Sequence, residues 1–147
     1  MWFEIYNNLF NLAILYHCMG LKISEKELGL YENNVKQACN YFKQALYIFN
    51  FIKEGVNSKI NEKELPDDLH PDYIDYCITI CEIKINLGMY RLGQNIDENS
   101  PKDSYEQSKI LLSITHLYYK AKYLIELCLK NNFSDDIIIF RKKKSLL

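Results

Sequence analysis

Glycine is scarce in this chain, with five in 147 residues and none next to another. A phosphate-cradling loop needs clustered glycines that let the backbone close on the anion, so loops of the P-loop or dinucleotide type are excluded. Proline is scarcer still, at three, which leaves long stretches where nothing interrupts a helix. No apolar run approaches the roughly 18–20 residues that span a bilayer. The first residues do not read as a signal peptide, because no basic segment precedes the apolar run and Glu4 breaks it. Neither sign of charge dominates: the net charge is −1 and the pI is near 6.3. That balance lacks the basic footprint of a nucleic-acid binder. Also missing are any C-x-x-C or H-x-x-x-H pair, the usual nucleus of a zinc site.

What is present is a globular composition, 48% hydrophobic and 25% charged, in a length that suits one domain with a single core. Twelve tyrosines and seven phenylalanines predict packing by rings that bridge helices. The cysteines, Cys18, Cys39, Cys77, Cys81 and Cys128, are odd in number, widely spread and set among apolar residues. Such cysteines behave as small hydrophobes, and the pattern predicts free thiols in a reducing, cytosolic compartment.

Four helices are predicted. The first runs over 2–21, with Leu9, Leu12, Ala13, Tyr16 and Met19 on one stripe, Ile5 and Leu15 broadening it, and Gly20 ending it. Ser24-Glu25-Lys26-Glu27 has capping-box spacing and is expected to open a short helical turn. A second helix is predicted over 32–54, where Val35, Ala38, Cys39, Phe42, Ala45, Leu46, Phe49 and Ile52 keep three–four spacing and Gly55 supplies the stop. Ala45-x-x-x-Phe49 echoes a tetratricopeptide signature, a small residue admitting a neighbour beside a ring. Residues 57–71 read as a polar linker, from which Asp68 or His70 leads into a third helix over 72–92 with Pro71 in its first turn. Ile74, Cys77, Ile78, Cys81, Ile85 and Met89 mark one face of it. After a loop over 93–101, a fourth helix over 102–130 carries Tyr105, Ile110, Leu111, Ile114, Leu117, Tyr118, Ala121, Leu124, Ile125 and Cys128 as its apolar set. The fold class is all-α, antiparallel helical hairpins of tetratricopeptide-like form, with 1–130 as the domain and 131–147 as a tail or a further element.

Two segments name a family. Phe3-Glu4-Ile5-Tyr6-Asn7-Asn8-Leu9-Phe10-Asn11-Leu12-Ala13-Ile14-Leu15-Tyr16 resembles the F-E-x-x-x-x-L-F-N-x-A-x-L-Y helix of Bro1 domains. Ala38-Cys39-Asn40-Tyr41-Phe42-Lys43-Gln44-Ala45, continuing to Phe49 and Ile52-Lys53-Glu54, resembles the helix that follows it there. His70-Pro71-Asp72, Ser108-Lys109-Ile110 and Leu117-Tyr118-Tyr119-Lys120-Ala121 extend the likeness more loosely, to about Leu124. The resemblance implies the tetratricopeptide-like core of a domain that is complete only at more than twice this length.

The resemblance also implies a job: a non-enzymatic, cofactor-free adaptor of endosomal sorting, cytoplasmic and endosome-associated. In the family a shallow apolar patch on the third and fourth helices takes the C-terminal amphipathic helix of an ESCRT-III-type subunit. Carried over from Pro71-Asp72 and from Ser108-Lys109-Ile110, that patch falls on Met89 with Tyr90 beside it, and on Glu106 and Ile110. A shift of one residue brings in Tyr105 instead of Glu106. The alternative is a generic tetratricopeptide-like module with another peptide partner.

Other chemistry is weighed against plain structural roles. Cys77 and Cys81, with His17, His70 and His116 elsewhere, read as core cysteines and not as metal ligands. A small cysteine hydrolase would need Cys77 or Cys81 exposed with a depressed pKa. Asp67-Asp68 and Asp135-Asp136 read as turn residues. Tyr41, Phe42, Tyr47, Phe49, Phe51, Tyr118, Tyr119 and Tyr123 read as core and interface rings, not as a base-stacking platform. Arg141, Lys142, Lys143 and Lys144 follow Ile137-Ile138-Ile139-Phe140. They form either a frayed end or a basic run able to lean on an anionic endosomal membrane, at about 1 kcal/mol per residue.

Overall fold

Among the described residues four long helices form, and each pairs with the next in antiparallel fashion. They are α1 (Trp2–Ser24), α2 (Glu32–Lys59), α3 (Pro71–Gln94) and α4 (Pro101–Lys130), with a 3-10 turn, Asp67–Leu69, before α3. The computed structural model describes residues 2–25, 32–59, 67–94 and 101–130, and among these there is no strand. The direction of each pairing follows from cross-helix contacts. Tyr6 meets Gly55 and Gly20 meets Phe42, so α1 and α2 run oppositely. Lys53 reaches Asp75 while Cys39 lies against Ile85 and Gly88, which reverses α3 on α2. Gly93 meets Gln107 at the closed end of the α3–α4 hairpin. This is the all-α hairpin architecture expected from spacing alone.

The helix ends differ from the sequence reading for one reason: the glycines make room and do not break helices. Gly20 lies inside α1, where a Cβ would sit 2.7 Å from the Phe42 ring. α1 therefore continues through buried Leu21 to Ser24, whose hydroxyl donates to the Leu21 carbonyl at 3.1 Å. Ser24 closes a helix here, in place of the capping box expected to open one; Lys26 and Glu27 lie outside the described residues. Gly55 lies inside α2 against Tyr6, so α2 runs on through buried Val56 to Lys59 and takes the start of the expected linker with it. Gly93 is likewise helical, the last residue but one of α3.

The start of α3 is the one predicted by Pro71. His70 precedes it, its Nδ1 accepting the Asp72 amide N–H at 3.3 Å, and its carbonyl accepts from Tyr73 and Ile74 at 3.0 Å. A side chain that satisfies an otherwise orphaned amide is what defines an N-cap, and Pro71 at the first helical position has no amide to satisfy.

The buried face of α1 is rotated from the expected stripe. Tyr6, Phe10, Ala13, His17 and Leu21 point inward, while Ile5, Leu12, Leu15 and Met19 are exposed. Only Ala13 of the predicted stripe is fully buried; Leu9 and Tyr16 are half-buried. α3 shows no single apolar face. Tyr73, Ile74, Tyr76, Cys77, Ile78, Thr79, Ile80, Cys81 and Ile83 are buried in near succession, because helices pack on opposite sides of it. Thr79 tolerates this by donating its hydroxyl to the Asp75 carbonyl at 2.7 Å.

Rings tie the layers together as predicted. Phe10 of α1 meets Phe49 of α2 edge-on at 5.5 Å between centroids, and Tyr73 of α3 at 6.1 Å. Tyr16 stacks on Tyr41 at 6.2 Å. Fully buried Ala13 and Ala45 let α1 and α2 approach closely beside these rings. Not every ring reaches the interior: Phe42 and Phe49 are core, Tyr41 and Tyr118 are half-buried, and Tyr47, Phe51, Tyr119 and Tyr123 are exposed.

Candidate partner-binding surface

Among the described helices α4 packs chiefly on α3, and many of its other residues are exposed. Its inward residues are Ile114, Ala121, Leu124, Ile125 and Cys128; Tyr105 and Leu111, expected on the apolar face, are exposed. The Gly93–Gln107 contact sets the register of the hairpin. One turn back along α3 lies Met89, and one turn on along α4 lies Ile110, so both belong to the same level near the closed end.

The residues expected in the patch lie on α3 and α4 towards this end, each exposed or half-buried. Met89 is 48% exposed and Tyr105 61% exposed, while Tyr90 and Ile110 are half-buried. Glu106 is exposed, with the Lys109 Nζ 4.0 Å from its carboxylate. The same ammonium stands 4.5 Å from the centre of the Tyr105 ring. Lys109 thus caps an aromatic face and offsets the one negative charge in the patch. An ion pair this exposed contributes at most about 1 kcal/mol, so Glu106 and Lys109 can separate cheaply when a partner approaches.

The opposite end of the hairpin holds a feature that the sequence reading missed. Tyr76 of α3 and Thr115, Tyr118, Tyr119, Lys122 and Ile125 of α4 line an open groove of about 470 Å³. Its signal in the sequence was a second stripe on α4, Leu111, Thr115, Tyr118 and Lys122, which runs beside the one that packs on α3 and meets it at Ile125.

Away from the surface, the fold brings His17 and Cys81 together from α1 and α3, with the ring Nδ1 3.6 Å from the thiol sulfur. This pair does not have the electronics of a nucleophile and its base. Cys81 is fully buried, and burial, reinforced by Cys77 and Glu82, pushes its thiol well above the usual range. Burial, reinforced by Lys84, lowers the His17 pKa to about 4. A reactive cysteine needs the reverse, an exposed thiolate held by a positive charge. Cys77 is buried as well, so the cysteine-hydrolase alternative loses both of its candidates. Among the described residues no group of His, Cys, Asp and Glu is arranged to hold a metal ion, and no helix is long and apolar enough to cross a membrane. Arg141, Lys142, Lys143 and Lys144 lie outside the described residues.

The sequence that builds α1, α2 and most of α3 matches one known family. The family model described as BRO1-like domain matches residues 1–85, which span α1, α2 and α3 as far as Ile85. Met89, Tyr90 and the whole of α4 fall beyond the matched residues. No curated protein and no solved structure matches the chain. With more than half of its length matched, the chain belongs to the BRO1-like domain family, a family of endosomal sorting adaptors, and it carries part of that domain.

Proposed function

We propose that this chain is a non-enzymatic adaptor that binds the C-terminal amphipathic helix of an ESCRT-III-type subunit across the closed end of the α3–α4 hairpin. The observation that supports the reading is that Met89 and Tyr105 are exposed, and Tyr90 and Ile110 half-buried, towards the closed end of a hairpin whose outer side no other described helix covers. An amphipathic helix buries its apolar face through a few anchors spaced three and four residues apart, and a shallow apolar patch of this kind suits it. Lys109 gives the rim a positive charge that would meet an acidic residue of the partner, and Glu106 would then be displaced from it. The setting is cytoplasmic and endosome-associated, and Arg141, Lys142, Lys143 and Lys144 add a basic contribution at an anionic membrane surface.

The test is a titration of a fluorescent ESCRT-III-type C-terminal peptide against the wild-type chain, Met89→Asp and Ile110→Asp, with helicity checked for each. Micromolar binding lost in both folded variants supports the adaptor reading and the patch together. A well-folded wild-type chain that does not bind would leave a helical module for another peptide partner as the account to pursue.

A further inference from the structure

We propose that the groove at the open end of the hairpin takes up the chain's own residues 135–140, Asp-Asp-Ile-Ile-Ile-Phe, with the aspartates set against Lys122 and the apolar side chains over Tyr76 and Tyr118.

Three observations support that occupant. The groove is apolar with a single charge. Leu111, Thr115, Tyr118 and Lys122 recur along α4 at spacings of four, three and four, one continuous stripe. Among the described residues it is left open, with Leu111 46% and neighbouring Tyr119 70% exposed. Lys122 is the one charged residue lining the groove among them, and it makes no ion pair there. The sequence then supplies the complement in the right order: two carboxylates, then three isoleucines and a phenylalanine.

The reach also fits. α4 ends at Lys130. At 1.5 Å per residue, Lys122 lies about 12 Å before that end and Thr115 about 22 Å. Residues 131–135, at up to about 3.4 Å each, span about 17 Å, enough to double back and bring Asp135 and Asp136 level with Lys122. The four residues that follow then run over Tyr118 towards Thr115. The Met89–Ile110 patch sits at the other end of the hairpin, so the proposal stands whether or not that patch binds a partner helix.

Engineered cysteines in the full-length chain test it. Cys18, the exposed native thiol, is replaced by serine. Tyr119→Cys with Phe140→Cys is compared with Lys120→Cys and Phe140→Cys. Lys120 is exposed, does not line the groove, and shares the same tether. A short tether alone gives both pairs a similar, roughly millimolar effective concentration, so only docking separates them. Under mild oxidation of the isolated monomer, docking predicts an intrachain 119–140 disulfide forming about tenfold faster than the 120–140 link. Lys122→Glu should slow it severalfold, and Ile138→Asp with Ile139→Asp should reduce it to the control rate, with helicity unchanged in each case. Equal rates for the two pairs would overturn the proposal. So would links that form only between chains, which would make the groove a contact between copies.

Discussion

His17 of α1 holds its Nδ1 3.6 Å from the Cys81 sulfur of α3, while its other nitrogen, Nε2, has no hydrogen-bond partner among the described residues. The ring is buried against Phe42, with centroids 5.2 Å apart, and beside a small void lined by Ile14, Phe49, Cys77 and Ile80. None of these groups is negatively charged, and the nearest influential charge is the Lys84 ammonium. An imidazolium here would lose its water and gain no counter-ion, which is why its pKa lies at about 4.

A pH dependence of stability follows. The unfolded chain binds a proton at His17 near pH 6.5, the folded chain only near 4, so between these values acid favours unfolding. Above about pH 6.5 the residue contributes nothing to the slope; by pH 4 the accumulated loss is about 3 kcal/mol. Urea midpoints of wild type and His17→Leu, measured from pH 7.5 to 4.5, should diverge below 6.5, with the wild type falling faster. Parallel profiles would show that His17 is protonated in the folded chain as readily as in the unfolded one.

Thiol labelling should divide the cysteines one against four. Cys18 is exposed, whereas Cys39, Cys77, Cys81 and Cys128 are buried. Burial also raises the thiols of Cys39 and Cys81 and pushes Cys128 up to about 11. Since the thiolate is the reacting form, native chain at pH 8 should modify Cys18 at least about a hundredfold faster than the other four, which react on local opening. Mass spectrometry of the time course reads this directly. Early modification of Cys77 or Cys81 would contradict the burial described and revive the nucleophile reading.

Gly55→Ala should destabilise the chain even though alanine favours helix over glycine by about 1 kcal/mol. The added Cβ would stand 2.6 Å from Tyr6 Cζ, and the Tyr6 ring is buried and cannot swing clear. Overpacking of this kind costs about 1–3 kcal/mol. In a Tyr6→Leu background the same change should cost nothing or stabilise. Chemical denaturation of the four proteins would expose a fault in the contact if the penalty were the same in both backgrounds.

Lys53 and Asp75 join α2 to α3 at 2.5 Å, with side chains 37% and 25% exposed. Water still screens a pair placed so, and a double-mutant cycle with Lys53→Met and Asp75→Asn should give a coupling of about 0.5–1 kcal/mol. Raising the salt to 1 M should shrink it. A coupling near zero at low salt would mean that the two side chains separate in solution.

Read alone, the sequence determined the number of helices, their approximate extents and their order, because three–four spacing of apolar residues is a local property that each segment carries by itself. His70-Pro71-Asp72 announced the start of α3, and Ala45 with Phe49 announced a close helix crossing lined by rings. The Phe3–Tyr16 and Ala38–Glu54 patterns were sufficient to name the family. Tertiary structure alone decided which face each helix buries. α1 is apolar around most of its circumference, so periodicity offered Leu12, Tyr16 and Met19 as readily as Tyr6, Phe10 and His17. The choice went to the side where Ala13 and Gly20 let α2 come close. The role of the glycines was hidden for a similar reason, since a residue that ends a helix and one that admits a ring are written with the same letter. The Tyr76 groove and the His17–Cys81 pair were hidden because each joins residues far apart in the chain. Only the docking of one helix on another brings such residues within reach.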